Sequence, residues 1–206
     1  MMEQTISEEQ KFIITEQDQE IAEKTIRAKK MMLWFGIISL SMSFAGLTSA
    51  YVISKERPDW LIDFVIPEAF YMSLGLIVAS SVTMILAKSA VKKEKNSAGM
   101  LLLVLTFLLG LGFIFYQFIG FNEIIQNGYY FTGSESTITT SFIYLVVLMH
   151  LAHIIAGLIA LLVVIYNHSR QRYAKGKTLG IELASTFWHF VDILWIYLFF
   201  FFYFVR

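Results

Sequence analysis

A chain of 206 residues that is 57% hydrophobic, with 19 phenylalanines against two prolines, gathers its apolar residues in blocks instead of alternating them with polar ones. Its formal net charge is zero, so no basic field invites nucleic acid. Cysteine is absent, which removes disulfides, iron–sulfur clusters and thiolate metal sites. The expected fold is an all-α integral membrane protein of five transmembrane helices, with the N-terminus cytoplasmic and the C-terminus outside.

Residues 1–30 read as a polar cytoplasmic tail, charged at Glu8, Glu9, Lys11, Glu16, Asp18, Glu20 and Glu23. They contain no apolar h-region, so no removed signal peptide is expected, and the acids exclude an Arg-rich transit peptide. A helix over about 17–30, flush with the membrane surface, is expected here. Residues 31–206 form the membrane domain. Its spans fall at about 32–53, 67–87, 100–121, 141–166 and 184–205, each near or above the ~20 residues a bilayer requires. Pro67 suits the start of the second span, where its missing N–H costs nothing, and Asn96 and Gly99 mark the turn into the third.

Charge gives the orientation. Lys11, Lys24, Arg27, Lys29 and Lys30 precede the first span; Lys88, Lys92, Lys93 and Lys95 follow the second; Arg170, Arg172, Lys175 and Lys177 follow the fourth. Thirteen of the 16 basic residues thus fall on one side, leaving Lys55, Arg57 and Arg206 for the other, where the 121–140 connection carries Glu123 and Glu135. The positive-inside rule makes the first side cytoplasmic.

The chemistry-bearing residues sit inside the spans. His150 and His153 share one face of the fourth helix, and His189 and Asp192 one face of the fifth. Trp188, Asp192 and Trp195 continue the same side at i, i+4, i+7. An ionisable group kept in hydrocarbon faces the protein interior and pairs, either as a polar knot between helices or as part of a proton path. Depth counting at 1.5 Å per residue puts His153 and Asp192 roughly 12 Å from the inner surface. A hydrogen bond from His153 or His150 to Asp192 is therefore expected. Three imidazoles, from His150, His153 and His189, could hold zinc or copper, or two of them a haem; hydrogen bonding to neighbours is the favoured reading. Glu123 reads as a solvated helix-end residue beside Gln117, and His168 as a surface residue.

The run Glu182-x5-Trp188-His-Phe-Val-Asp192-x2-Trp195 closely resembles the last helix of subunit III of the haem–copper (cytochrome c) oxidases. Phe44-Ala-Gly-x3-Ala-Tyr51, Ser80-Ser81-Val-Thr83, Gln117-x5-Glu123 and His150-x2-His153-x3-Gly157 resemble successive earlier helices, in the right order. The resemblance runs from about Leu33 to the C-terminus and is that of a short, five-helix bacterial form. Three departures stand out: Leu40 where the family commonly has a glutamate, Val147-Leu148 for its Thr-Gly, and Gly120 for a usual acid.

What the resemblance implies is a supporting subunit of the bacterial cytoplasmic membrane with no catalytic, cofactor or metal site of its own. Haems and copper are then expected in the partner subunits, the catalytic subunit I and subunit II. The chain would pack on subunit I, hold structural phospholipid and support proton uptake and oxygen access for oxygen reduction coupled to proton translocation. A larger respiratory supercomplex stays open. His150, His153, Trp188, His189, Asp192, Trp195, Glu182, Gln117, Glu123, Ser80 and Ser81 form the expected polar core and packing set, while Phe199 to Phe202 and Tyr203 are expected as exposed aromatics. The alternatives are subunit III of a quinol oxidase, an accessory protein of nitric oxide reduction, or a free-standing proton-coupled or metal carrier. The carrier reading expects inverted repeats or mid-membrane helix breaks, and no repeat is evident.

Overall fold

The computed structural model describes residues 8–58, 60–61, 66–133, 136–173 and 178–205, with side chains from residue 16 onward. Glu135, Lys175, Lys177 and Arg206, and the side chains of Glu8, Glu9 and Lys11, used above in the reading of charge, lie outside the described residues. Among the described residues, five α-helices follow in order: α1 Glu8–Ile53, α2 Glu68–Lys92, α3 Asn96–Gln126, α4 Ile138–Ser169 and α5 Leu179–Phe204. All five are long and apolar enough to cross a membrane. Helix is the form such blocks must take, because hydrocarbon offers the backbone no hydrogen-bond partner.

The chain divides into two units, Met1–Ser39 and Leu40–Arg206. In the first, helix α1 is braced on its polar surface by Glu20–Lys24 at 2.7 Å and Glu23–Arg27 at 3.3 Å, both one turn apart. The expected helix from about residue 17 is corrected: α1 starts at Glu8 and has no break at residue 30.

The second unit is the bundle. Helices α2 and α3 pack along their length, α5 packs on α2 and α4, and α4 packs on α3. The helix ends explain themselves locally. Thr137 caps α4, its hydroxyl accepting from the Thr140 N–H at 3.3 Å while the Thr140 hydroxyl accepts from the Thr137 N–H. Helices α2, α3 and α4 end alike, each on a residue in the left-handed region: Glu94 (φ 56), Gly128 (φ 81) and Gln171 (φ 54). The next N–H in each case reaches back to a final-turn carbonyl, Lys95 to Ala90, Tyr129 to Ile124 and Arg172 to Asn167. Only the middle one uses the glycine that this conformation favours.

Large apolar side chains stay on the outside of the bundle, among them Leu101, Phe115, Ile159 and Ile193. In water such a surface would aggregate; in lipid it is the solvated face. The aromatic tail of α5 alternates, which corrects the expectation of a wholly exposed run. Phe199 and Phe202 are buried, whereas Phe200 and Tyr203 face outward. A helix turns 100° per residue, so consecutive aromatics cannot share one environment. Phe202 and Phe201 close on Tyr51, which Trp60 and Phe142 also flank edge-on.

Candidate functional site: the buried polar seam

The inward row of α5 carries Ser185, Trp188, Asp192 and Trp195, each no more than 1% exposed. Trp188 is the anchor. Its indole N–H donates to Ser80 Oγ at 3.2 Å, and Ser80 in turn donates to the Ile77 carbonyl at 2.8 Å. The flat indole fits because two neighbours have no side chain. A Cβ on Gly110 would lie 2.8 Å from Trp188 Cη2, and one on Gly157 3.1 Å from Trp188 Cε3. One side chain of α5 thus touches α2, α3 and α4, and Gly157 owes its place to packing.

The other expected residues distribute along the same seam. Ser81 Oγ lies 2.7 Å from His189 Nδ1, joining α2 to α5. Gln117 donates to Ser73 Oγ at 3.0 Å, joining α3 to α2. Glu182 forms an ion pair with Lys92 at 2.8 Å and accepts from the Thr178 hydroxyl at 3.2 Å, tying the first turn of α5 to the last turn of α2. Gly120, the departure from the family acid, holds space for Phe70, whose ring edge would overlap a Cβ there.

Two expectations are corrected. No hydrogen bond joins His150 or His153 to Asp192: the two His150 ring nitrogens and both Asp192 carboxyl oxygens are buried without a hydrogen-bond partner. Depth placed these groups at similar heights, but the azimuth differs. His150 stacks on the Trp195 indole at 5.1 Å, within reach of the edges of Phe44 and Phe113, and His153 Nδ1 turns back to the Met149 carbonyl at 2.6 Å. His168 is buried at 3% exposure, since its Nε2 reaches the Asn96 carbonyl at 3.0 Å and its ring stacks on Tyr173. Burial pushes the Tyr173 phenol upward from its ordinary value, against a smaller opposing effect of Asn167. Glu123 lies in the last turn of α3 at intermediate exposure, its carboxylate accepting from the Ala69 N–H at 3.5 Å. A carboxylate there meets the positive end of α2, which lacks a side-chain cap of its own.

Sequence reasoning missed the paired hydroxyls of Thr83 and Thr106, 2.8 Å apart between α2 and α3, and Thr48 with Tyr197, 3.2 Å apart between α1 and α5. A signal was available. Ser73, Ser80 and Ala87 recur every seven residues on α2, and Thr106, Gly110, Phe113, Gln117 and Gly120 follow a 3–4 spacing on α3. Small residues at such spacing mark the contact stripe of a membrane helix. Among the described residues, no three His, Cys, Asp or Glu side chains come together as a metal-binding group.

Among the described residues, five helices long and apolar enough to cross a membrane, four of them joined by a buried polar seam, define a multi-pass membrane protein. The family described as cytochrome c oxidase subunit III matches residues 26–206, and the chain belongs to it, as a subunit III of a haem–copper oxidase. Relatives agree. The chain is 28% identical over 137 residues to cytochrome c oxidase subunit 3 of Alkalihalophilus pseudofirmus, covering 66% of each chain. It is also 28% identical over 181 residues to the subunit of the same name from Bacillus sp. strain PS3, covering 85% of this chain and 86% of that one. Cytochrome bo(3) ubiquinol oxidase subunit 3 of Pseudomonas putida is 30% identical over 160 residues, covering 78% of this chain and 70% of the relative.

Proposed function

We infer that this chain is the supporting third subunit of a bacterial respiratory cytochrome c oxidase, packed on the catalytic subunit I beside subunit II. The family match over residues 26–206 carries the reading. The haems and copper lie in the partners, and this chain contributes no catalytic centre. Its own part is to hold lipid and to keep proton uptake and oxygen access intact on the partner during turnover.

The seam suits that part. Ser80, Ser81, Gln117, Trp188, His189 and Glu182 tie helix to helix, with His150 and Trp195 stacked between them, so the outer surface stays apolar for lipid and partner helices. Glu123 and His168 brace the ends of α2 and α3, while His153 and Asp192 complete the inward set. Residues 1–30 form the cytoplasmic tail and 31–206 the membrane domain of a chain whose N-terminus is cytoplasmic and C-terminus outside. The 13 basic residues on one side support that orientation, and the bacterial relatives support the cytoplasmic membrane.

The test is purification of the tagged chain from its native membranes in mild detergent, read by visible spectrum and mass spectrometry. Haem a or o absorbance with a large many-histidine subunit is expected. A colourless chain without such a partner would overturn the reading. The quinol reading has its own support in the Pseudomonas putida relative, a ubiquinol oxidase subunit by name. A co-purified subunit with a cysteine-bearing copper site assigns cytochrome c as donor, and its absence assigns quinol.

A further inference from the structure

The seam is filled by the chain's own side chains, but a groove on the outside of the bundle is not. It lies between the start of α3 and the end of α4 and measures about 640 Å³, within the ~300–1,000 Å³ of ligand sites. Its polar end is made by Asn96, Ser97, His168, Ser169 and Gln171. Its apolar wall is Met100, Leu101 and Val104, one and two turns into α3. The polar end is braced. Asn96 Nδ2 donates to Gln171 Oε1 at 3.0 Å, joining the two turns, and the buried His168 reaches the Asn96 carbonyl at 3.0 Å.

The chemistry of that end suits an anion. Gln171 Oε1 is taken by Asn96, which leaves its amide N–H groups to donate outward. The Ser97 hydroxyl is exposed in the first turn of α3. Ser169 gives its proton to the Tyr166 carbonyl at 2.8 Å and keeps its oxygen as an acceptor. The same two turns carry Lys93, Lys95, Arg170 and Arg172, against one acid, Glu94. Arg170 lies over the Tyr166 ring at 5.4 Å and Arg172 donates to the Asn167 amide oxygen at 3.2 Å, contacts that leave both charges in place. Lys92 is already held by Glu182. The apolar wall argues against a free anion. Leu101 is 66% exposed and Val104 39%, a strip that only an amphiphile covers together with the polar end.

We propose that this groove seats an anionic phospholipid, its phosphate at Ser97 and Gln171 between Lys95 and Arg170, and an acyl chain along Met100, Leu101 and Val104. Basic pockets between membrane helices at headgroup level bind anionic lipids in this way. The seat deepens the lipid-holding part of the reading above, on which it rests, by giving it a place and a headgroup charge. It is distinct from the general lipid coat. Outward side chains such as Ile85 on α2 meet whatever acyl chain passes, whereas the groove selects by headgroup.

Site-directed fluorescence quenching tests this. The chain has no cysteine, so Leu101→Cys and Ile85→Cys each place one fluorophore on it, with the unaltered protein as the blank. The protein is purified with whatever it holds in its native membranes and placed in phosphatidylcholine vesicles with nitroxide-labelled lipid. At Leu101→Cys, labelled phosphatidylglycerol should bind roughly fivefold more tightly than labelled phosphatidylcholine, the scale of one basic residue's attraction for an anionic surface. At Ile85→Cys the two lipids should quench alike. Lys95→Glu with Arg170→Glu should remove the preference, and Lys29→Glu in the tail should leave it. If the double variant does not accumulate, Ser97→Glu at its exposed position serves instead. The same preference at both labelled positions, a preference that survives the charge reversals, or no quenching by either lipid because another chain covers the groove would each overturn the proposal. Relief of quenching by inorganic phosphate alone would also overturn it, assigning the groove to the free ion. These readouts do not depend on co-purified haem, so their failure is distinguishable from failure of the oxidase reading.

Discussion

Replacing Gly110 with alanine tests the seat of Trp188. The added Cβ would lie 2.8 Å from both Trp188 Cη2 and Leu158 Cδ2, against the about 3.5–4.0 Å of an ordinary carbon contact. The leucine tip can rotate away. The indole cannot: it is rigid, fully buried, backed by Gly157 and tethered to Ser80 at 3.2 Å. A shift of about 0.7–1.2 Å away from α3 would press the ring on Gly157 or open the Ser80 bond. Overpacking costs about 1–3 kcal/mol and a loosened buried hydrogen bond about 1 kcal/mol. The helix propensity of alanine returns about 1 kcal/mol. The net expectation is a loss of about 1–3 kcal/mol, read as denaturation in mixed micelles followed by circular dichroism. Gly75→Ala, where nothing lies within 4 Å, is the control and should be neutral or slightly stabilising. Equal stability of the two variants would refute the reasoning; recovery in Gly110→Ala with Trp188→Phe would support it.

Four further outcomes follow from the same geometry. Ser80→Ala removes the acceptor for the Trp188 N–H and should cost about 1 kcal/mol, near the modest value of hydrogen bonds between membrane helices, in the same denaturation assay. Gly120→Asp, which restores an acid of the family pattern, should block accumulation of the folded chain, because its Cβ would overlap Phe70; adding Phe70→Ala should restore membrane yield. Lys92→Ala should cost less than about 1 kcal/mol, as for a partly exposed ion pair, whereas Lys92→Glu should cost more and be rescued by Glu182→Lys, measured as a double-mutant cycle. Glu94→Gly should stabilise by up to about 1 kcal/mol, since glycine tolerates the left-handed position that closes α2.

The five spans were legible because bilayer thickness fixes how long an apolar block must be, whatever surrounds it. Their ends were not. Helices α2, α3 and α4 run several residues beyond the apolar blocks, to Lys92, Gln126 and Ser169. Polar side chains at the interface do not end a helix; backbone turns at Glu94, Gly128 and Gln171 do. The inward row of α5 was equally readable, since spacing alone puts Trp188, Asp192 and Trp195 on one side. What spacing cannot supply is the rotation of one helix against the next. The depth estimate brought His153 and Asp192 level, yet His150 stacks on Trp195 and His153 bonds to the Met149 carbonyl. His168 shows the same limit at a helix end: a basic loop reads as solvent, but the imidazole finds the Asn96 carbonyl first.

The seat of Trp188 also sets an order of events. Helices α2, α3 and α4 leave the ribosome before α5, and until α5 arrives the slot at Gly110 and Gly157 has only lipid to fill it. Lipid tails are a poor substitute for a flat, rigid ring, and they offer the Ser80 hydroxyl no donor. The bundle is therefore keyed by α5, and a nascent chain stopped after α4 would hold the lock without the key. Quality control in the membrane could distinguish the two states by that one unfilled groove.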